Sequence, residues 1–432
     1  MSLYDVIIIG GGPGGSTAGS ALAQQGKKVL ILEREKFPRF HVGESLIPFG
    51  NEELRAIGVW DRLTKSNFVP KLGAEFVLGN STAGIQIVFG KHLPPHYAQT
   101  FQVERSRFDE VLLDHAASSG CEVWQETLVQ SFEVTDDGAK VVCKRGDETI
   151  ELQSRWLLDA SGRDAFVGKR MNLPKDDLGM PKKFATFAHF KGVKRNEPPA
   201  DGYITVVRLD FGWFWMIPLD AEKVSVGLVQ TLEHYKATGL KPDECFEKVV
   251  AAYPEIRRRM ENAERVGDYR VVSDYTYRYE VNAGPRWLLI GDAAGFIDPI
   301  FSSGVMLSIK SGYLAATKVI AADKAGTALP AAEQKRYTKK VGQMSKVFLR
   351  MIKMFYDRSG FEVFMTPAPD PQMEWAVFNL VAGNTDFGWW LQFKVQMFYA
   401  ICAIQKYVAI VPRLDYSERP VQRETAATAA AA

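Results

Sequence analysis

The chain opens with a pattern of hydrophobic positions that predicts a strand, a turn and a helix. Tyr4 to Ile9 is a continuous apolar run rich in β-branched side chains, which is typical of a buried strand in a parallel sheet. The glycine-rich stretch Gly10 to Gly15 ends this run, and a helical stretch follows. A second apolar run, Lys28 to Leu32, predicts the next strand. This order predicts an α/β unit with a nucleotide-binding turn.

Two further apolar runs predict strands that end in small, polar turns. Trp156 to Leu158 leads into the turn Asp159-Ala160-Ser161-Gly162. Trp287 to Ile290 leads into Gly291-Asp292-Ala293-Ala294-Gly295, and we expect a second helix to begin there.

The changes of pattern along the chain divide it into six segments. Short strand-like runs such as Tyr203 to Leu209 and Val224 to Gln230 alternate with turns and predict an antiparallel sheet. From Ala331 onward the pattern is helical, as in Met344 to Tyr356. The predicted nucleotide-binding domain comprises 1–71, 101–171 and 273–340, the sheet comprises 72–100 and 172–272, and a helical C-terminal region with a disordered tail, TAATAAAA, comprises 341–432.

Composition and charge narrow the classes of function. The chain has 432 residues, of which 46% are hydrophobic, enough for a large core. Its 53 basic and 51 acidic residues are spread along the chain, so we expect small-molecule partners and no nucleic acid. The cysteines lack metal-ligand spacing and no signal-peptide pattern is present, so we expect no metal and a cytoplasmic location. Phe398 to Val411 is interrupted by Gln405 and Lys406 and is too short for a membrane span.

The first glycine turn fits a dinucleotide-binding fingerprint. Gly10, Gly12 and Gly15 satisfy G-x-G-x-x-G, in which the glycines permit a tight turn, close approach to a pyrophosphate and close packing of helix on strand. Glu33 follows the second strand, where an acidic residue meets ribose hydroxyls. A glycine cluster can also close an ordinary loop, but the two features together favour a dinucleotide.

The Gly291-Asp292 step resembles the second phosphate and ribityl contact of the glutathione-reductase-type FAD proteins, which implies that the dinucleotide is FAD. Asp159 to Gly162 resembles their intermediate turn. Arg105 resembles their arginine near the cofactor, although a helix-capping or solvated arginine is an equal alternative. No second G-x-G-x-x-G follows a strand, which favours a separate flavin reductase over a built-in nicotinamide site.

The resemblance therefore implies an α/β fold class, a glutathione-reductase-type FAD-binding Rossmann domain with an inserted antiparallel sheet as substrate domain and a helical C-terminal region. The residues expected to contact FAD are Gly10, Gly12, Pro13, Gly14, Gly15, Glu33, Arg34, Glu44, Ser45, Arg105, Asp159, Gly162, Gly291, Asp292, Pro299, Gly304 and Val305.

Four separated motifs lie between residue 1 and about residue 345. They are His41-Val42-Gly43-Glu44-Ser45-Leu46, Lys71 in FVPKLGAEF, the block WFWMIP, which fits W-x-W-x-I-P, and FIDPIFSSG, which fits F-x-x-P-x-x-S-x-G at Phe296, Pro299, Ser302 and Gly304. Together they resemble the flavin-dependent halogenases of the pyrrole and phenol type, which are related to the tryptophan halogenases and to the geranylgeranyl reductase-like FAD oxidoreductases.

The resemblance implies that FADH2, O2 and chloride or bromide yield hypohalous acid, which halogenates an electron-rich aromatic. Oxygen transfer would compete if this substrate reached the activated flavin, so the protein must keep the two apart while the oxidant passes. Trp213 and Trp215, on one face of a strand and followed by Ile217 and Pro218, would form this partition. A pair of packed core aromatics is the alternative interpretation.

Two further sites follow from the resemblance. Consecutive backbone N–H groups at Ser303 and Gly304 would bind the halide, although a serine-glycine turn is also a common helix entry. Lys71 is expected at the active site, where its ammonium would hydrogen-bond the oxidant, or its free amine would form a haloamine, the form that burial favours. Solvation is the ordinary alternative for a lysine.

One departure from the family narrows the substrate class. Phe301 stands where tryptophan halogenases carry a glutamate, so we do not expect free tryptophan as the substrate. A phenol or pyrrole loses its ring proton more readily, and such rings are often presented on carrier proteins, so a tethered substrate stays open.

Other readings of the sequence stay open as well. A geranylgeranyl reductase-type dehydrogenase, an aromatic monooxygenase and a non-catalytic redox sensor would share the FAD motifs. The aromatic segment FGWWLQFKVQMFYAICAIQKYVAI could cap the pocket or bind a partner, but packing against the body is favoured. Lys182, Lys183 and Cys245 are interpreted as surface or packing residues.

Overall fold

The computed structural model of the chain describes residues 3–81, 84–274, 276–366, 370–386 and 388–416. The tail predicted to be disordered lies outside these residues. The strands, in chain order, are β1 (Leu3–Ile9), β2 (Val29–Leu32), β3 (Val69–Lys71), β4 (Gly73–Leu78), β5 (Gly84–Val88), β6 (Thr100–Gln102), β7 (Glu122–Trp124), β8 (Thr127–Val134), β9 (Ala139–Arg145), β10 (Glu148–Asp159), β11 (Lys175–Asp176), β12 (Lys183–Lys191), β13 (Ile204–Arg208), β14 (Gly212–Pro218), β15 (Val224–Thr231), β16 (Glu264–Asp274), β17 (Tyr277–Tyr279), β18 (Trp287–Leu289) and β19 (Gly295–Phe296).

The helices span α1 (Pro13–Ala23), α2 (Asn51–Ala56), α3 (Trp60–Thr64), α4 (Phe89–His92), α5 (Arg105–Ser118), α6 (Phe166–Arg170), α7 (Leu232–Thr238), α8 (Pro242–Ala252), α9 (Pro254–Met260), α10 (Ser303–Lys324), α11 (Ala331–Tyr356), α12 (Arg358–Met365), α13 (Pro371–Val381) and α14 (Trp389–Gln405). Short 3₁₀ turns lie at Pro48–Gly50, Pro95–Tyr97, Gly162–Asp164, Gly291–Ala293 and Pro299–Phe301.

A mostly parallel sheet carries the nucleotide turn. Its order is β7-β2-β1-β10-β9-β8, with β18 also paired to β10. Strand β1 pairs in parallel with β2 and β10, and Ile9 lies opposite both Leu32 and Asp159. The carboxyl ends of these strands therefore meet at one edge, which is where a doubly wound fold binds its ligand. The expected α/β fold with an FAD-type Rossmann unit is confirmed.

A second sheet lies beside the first, in the order β16-β12-β15-β14-β13-β4-β5. Its neighbouring strands are antiparallel, except that β13 and β4 are parallel. Trp213 and Trp215 on β14 face the main core, and Phe214 and Met216 on the opposite face pack in a separate apolar cluster with helices α8 and α9. This alternation follows from the two-residue period of a strand.

Helix α10 begins later than the sequence predicts. We expected a helix directly after Gly295, but α10 begins at Ser303. The intervening residues form strand β19 and a 3₁₀ turn, which Asp298 caps by accepting a hydrogen bond from the Ile300 N–H at 3.1 Å. The prediction was wrong because a side-chain cap and a short strand stabilise an alternative to continued helix.

Among the described residues, α10 is also the one helix long and apolar enough to cross a membrane, by length and composition alone. Half of the apolar stretch of α10 that meets this criterion is buried in the protein. Gly312 of α10 approaches α1 so closely that a Cβ there would lie 2.4 Å from the Gly14 carbonyl oxygen. This packing identifies α10 as a core helix.

The C-terminal helices differ from their sequence interpretation in one respect. The buried residues of α14, including Leu391, Val395 and Phe398, follow a helical spacing, but Trp389 is 78% exposed and Phe393 51%. The prediction that the aromatic segment packs against the body was thus only half right. An amphipathic helix buries one face and leaves the other face in solvent. Helix α11 crosses the boundary expected at 340/341, and the six-segment division stays a prediction.

Candidate active site

The glycine turn after β1 has the backbone geometry that only glycine permits. Gly10 has a φ of +100°, and a Cβ there would lie 2.4 Å from the Ala160 carbonyl oxygen. A Cβ on Gly15 would lie 2.0 Å from the Gly10 oxygen, so this position fixes helix α1 on its strand. At Gly12 the nearest atom to an added Cβ is the Arg39 guanidinium, at 3.7 Å. The turn is thus closed behind and open towards the space where a phosphate would lie.

Glu33 connects the turn to the end of β2. Its carboxylate accepts hydrogen bonds from the Gly11 N–H at 2.7 Å and the Glu35 N–H at 2.9 Å. The side chain is buried but lines the cavity described below, and its oxygens retain lone pairs for hydroxyl donors. Arg34, beside it, is half-exposed and forms an ion pair with Asp164.

A cavity of about 540 Å³ extends from this turn to the second sheet. The predicted residues that line it are Gly10, Gly12, Pro13, Gly14, Glu33, Arg34, Glu44, Ser45, Arg105, Gly162, Trp213, Trp215, Asp292, Pro299, Gly304 and Val305. The predicted residues that do not line it are Gly15, Lys71, Asp159, Pro218, Gly291 and Ser303. Asp159 instead accepts the N–H groups of Ser161 and Val167 and so holds its own turn.

Arg105 and Asp292 are two of the charged residues that line this cavity. Arg105, the first residue of α5, is 5% exposed and donates to both carboxylate oxygens of Asp109, at 2.7 and 2.9 Å, and to the Val42 carbonyl. The alternative of a solvated arginine is therefore wrong. Burial raises the pKa of Asp292 to about 6, against the lowering effect of Arg105 and Arg163.

The tryptophan pair of β14 lines the cavity on the side of the second sheet. The two ring centroids lie 5.9 Å apart, and each indole N–H has a partner. Trp215 donates to the Ser225 hydroxyl at 3.1 Å, and Trp213 donates to the Tyr356 hydroxyl at 2.8 Å. A Cβ on Gly227, opposite Trp215 on β15, would lie 2.2 Å from its ring, so glycine makes room for the indole.

Lys71 lies behind the cavity wall and not in solvent. The side chain is 1% exposed, and burial lowers its pKa to about 7. The amine donates to the Ser45 hydroxyl and to the Leu46 carbonyl, each at 2.7 Å. Ser45 itself lines the cavity, so one hydrogen bond separates the amine from the cavity surface.

The turn before α10 offers backbone N–H donors at the start of the helix. Ser302 has a φ of +56°, which directs the chain into the helix, and the first N–H groups of an α-helix have no partner within it. The Ser303 hydroxyl is buried without a hydrogen-bond partner. An added Cβ on Gly304, which lines the cavity, would contact nothing within 4 Å.

These features fit a bound dinucleotide. The open face of Gly12 at the start of α1 suits a pyrophosphate, Glu33 suits a ribose, and Gly304 leaves space beside the second turn. The sequence model of the FAD binding domain family matches residues 3–344.

The family to which this chain belongs is identified by its similarity to two proteins. A 1H-pyrrole-2-carbonyl-(peptidyl-carrier protein) brominase of Pseudoalteromonas luteoviolacea is 36% identical over 321 residues, or 73% of this chain and 77% of the relative. The corresponding chlorinase of Pseudomonas fluorescens is 31% identical over 425 residues, or 93% of this chain and 94% of the relative. The chain belongs to the flavin-dependent halogenases.

Solved structures agree with this placement. The flavin-dependent brominase Bmp2 superposes on this halogenase with a TM-score of 0.83 at 29% identity, covering 94% of this chain and 99% of that one. A flavoprotein/dehydrogenase from Cytophaga hutchinsonii superposes with a TM-score of 0.86 at 27% identity, with the same coverage. The curated relatives favour halogenation over the reductase and monooxygenase alternatives.

The halogenase is an FAD-dependent oxidoreductase that uses a halide to halogenate an electron-rich aromatic. Bound and reduced, FAD supplies the electrons that let O2 oxidise the halide to hypohalous acid.

The position of Phe301 lies in an apolar environment. Its ring packs between Phe76, at 6.2 Å, and Phe355, at 6.0 Å, and it is buried. Phe361 and Phe364 from α12 extend this cluster. A carboxylate at position 301 would be buried among phenyl rings, which is unfavourable. The packing of the C-terminal helices therefore requires an apolar residue where the tryptophan halogenases carry a glutamate.

Lys183 and Arg39 are among the cavity residues that sequence reasoning missed. Lys183, interpreted as a surface or packing residue, is 3% exposed and lines the cavity, with its amine 3.5 Å from the centroid of the Tyr356 ring. Arg39 also lines the cavity and pairs with Asp109 at 2.8 Å. For Lys183 the available signal was its alternation with Ala185 and Phe187, which share its strand face.

Proposed function

We propose that this halogenase modifies a pyrrole ring tethered to a carrier protein, in the cytoplasm, with FADH2 supplied by a separate flavin reductase. The observation that carries the proposal is the desolvated amine of Lys71, placed one hydrogen bond behind a cavity that carries FAD-type turns. The named substrates of the brominase and chlorinase relatives support the tethered pyrrole. The apolar environment of Phe301 supports a ring that needs no protein carboxylate to lose its proton.

In this proposal the flavin-side turns bind the reactants. The N–H groups at Ser303 and Gly304 bind chloride or bromide, because a helix N-terminus attracts anions. The FAD contacts are those predicted from the sequence. Gly15, Asp159 and Gly291 act indirectly, since they shape the turns that bind FAD and do not line the cavity.

Trp213, Trp215 and Pro218 form the partition in this proposal. The two indoles line the cavity and keep the ring substrate from the flavin, and Pro218 ends the strand that carries them. Hypohalous acid, being small, passes to Lys71. The ring carbon then forms a bond to the halogen and loses its proton, and the hydroxide of the oxidant leaves as water.

Lys71 can act in either of two protonation states. A neutral amine has two N–H groups, which match the acceptors Ser45 and Leu46 and leave the lone pair free to take the halogen. An ammonium has a third N–H to polarise the oxidant. Because burial lowers its pKa to about 7, both forms are present near neutral pH. A rate that rises through pH 7 supports the amine, and one that falls supports the ammonium.

The experiment supplies the purified protein with FAD, an NADH-driven flavin reductase, O2 and either bromide or chloride. Pyrrole-2-carbonyl bound to a carrier protein is compared with the free pyrrole acid and with a small phenol, and products are read by mass spectrometry for halogen isotope patterns. We expect the tethered pyrrole to be halogenated faster than the free ring. Equal or faster turnover of the free rings would refute the tethered substrate while leaving halogenation intact.

A further inference from the structure

The geometry points to Tyr356 as a positioning residue for Trp213: its hydroxyl holds the indole in place and thereby keeps the partition closed. This inference rests on the proposed role of the tryptophan pair. It assigns a task to the end of α11, in the C-terminal region, where the motifs of the family do not reach.

Tyr356 lies at the centre of a chain of hydrogen bonds. Its hydroxyl accepts from the Trp213 indole N–H at 2.8 Å and donates to a carboxylate oxygen of Asp298, also at 2.8 Å. The other Asp298 oxygen accepts the Ile300 N–H and caps the turn Pro299–Phe301 that precedes the proposed halide site. One hydroxyl thus connects the partition to the turn that precedes α10.

Burial and a neighbouring carboxylate keep this hydroxyl protonated. Burial of the hydroxyl, together with the Asp298 carboxylate, raises the pKa of Tyr356 well above its ordinary value. The Lys183 ammonium lies over the ring at 3.5 Å and Arg208 at 5.8 Å. The charge of Arg208 lowers the pKa of Tyr356, but the effect of burial is larger. The phenol therefore donates its proton to Asp298 and leaves its oxygen lone pairs to the Trp213 N–H.

The two indoles are held in different ways. Trp215 is fixed within its own sheet, by the Ser225 hydroxyl and by the space at Gly227, both on the neighbouring strand β15. Trp213 depends on a residue 143 positions away in sequence. Without the hydroxyl, the buried Trp213 N–H and an Asp298 oxygen would each lose this hydrogen bond, which favours rotation of the indole. A rotated indole opens the partition.

The test compares Tyr356→Phe with Tyr337→Phe. Tyr337 lies on the same helix, is buried, and donates its hydroxyl to the Leu289 carbonyl at 2.7 Å, remote from the tryptophan pair. We expect Tyr356→Phe to lower halogenated product per FADH2 oxidised about fivefold, the factor that corresponds to one hydrogen bond of ordinary strength. Hypohalous acid caught by a dione trap in solution should rise correspondingly, and the Tyr337→Phe ratio should stay at the wild-type value.

Two further readouts separate positioning from general destabilisation. The indole ¹⁵N–H resonance of Trp213, assigned by its loss in Trp213→Phe, should shift in Tyr356→Phe and stay in place in Tyr337→Phe. When Trp213→Phe is already present, adding Tyr356→Phe should cause no further loss of halogenated product per FADH2 oxidised. The assignment would be overturned if product per FADH2 oxidised were unchanged in Tyr356→Phe or fell equally in Tyr337→Phe. It would also be overturned if the losses in the double variant were additive or if the resonance did not shift.

The resonance also keeps this inference separate from the proposed function. If the wild-type protein halogenates none of the substrates offered, the proposed function fails, whereas the shift of the Trp213 resonance still decides whether Tyr356 positions the indole.

Discussion

The two ends of the proposed reaction path are built on opposite physical principles. At the nucleotide end, Gly10 and Gly15 shape the backbone and the open helix start of α1 faces the ligand, so recognition depends on main-chain groups. At the other end, Lys71 is one desolvated side chain with two acceptors, Ser45 and Leu46. Gly10 and Gly15 at the first end leave no room for a side chain, and the second end depends on one amine. Substitutions should therefore break them in different ways.

The largest effect is expected from Gly15→Val at the nucleotide end. The added side chain starts 2.0 Å from the Gly10 oxygen, so the helix must leave the turn and the pyrophosphate site is lost. We expect purified protein without FAD and no activity with any substrate. The FAD content by absorbance measures this. Gly342→Ala, where nothing lies within 4 Å of the new Cβ, is the matched control and should retain FAD.

A smaller effect is expected between the two ends, at Gly227→Ala. Its Cβ would lie 2.2 Å from the Trp215 ring and must displace the indole, whereas the FAD turns lie on other elements. We expect FAD to bind as in the wild type while product per FADH2 falls about tenfold, the consequence of an overpacked partition. Equilibrium FAD binding and coupled turnover check both parts. Loss of FAD binding would show instead that the two regions are not separable.

The smallest effect concerns stability at the Lys71 end. Between pH 7 and 10.5 the unfolded chain carries a proton on this lysine that the folded protein has largely released, because burial lowers its pKa to about 7 from 10.5. The free energy of unfolding should therefore rise with pH through this window, by at most about 1.4 kcal/mol per pH unit. Below pH 7 the cost of burying the charge is fully present.

Lys71→Met removes that proton and is the comparison for this prediction. The free energy of unfolding of Lys71→Met minus that of the wild type should fall as the pH rises from 7 to 9 in denaturant titrations, so that an advantage of the variant shrinks and a deficit grows. Parallel curves for the two proteins would contradict the lowered pKa and the burial that causes it.

The sequence predicts the nucleotide end well because its demands are local. A tight turn needs glycine at fixed spacing and Glu33 follows its strand directly, so Gly10, Gly12 and Glu33 could be placed without coordinates. The common strand face of Trp213 and Trp215 is equally local, since a strand alternates its side chains.

The remaining features depend on contacts between distant residues. Lys183 becomes a cavity residue only because strand β12 lies beside β15, and Tyr356 reaches Trp213 only because α11 ends at that sheet. The start of α10 at Ser303 depends on the Asp298 cap, and the exposed face of α14 depends on which stripe the body covers. No spacing of residues in the sequence carries that information.

The central claim is that FADH2 oxidation and carbon halogenation occur in separate places and that Lys71 serves only the second. The measurement is product per FADH2 oxidised in Lys71→Ala and wild type, under the same halide, reductase and substrate. We predict that the variant binds FAD and consumes FADH2 and O2 at the wild-type rate but forms no halogenated product. Halogenation at the wild-type ratio in Lys71→Ala would contradict the account.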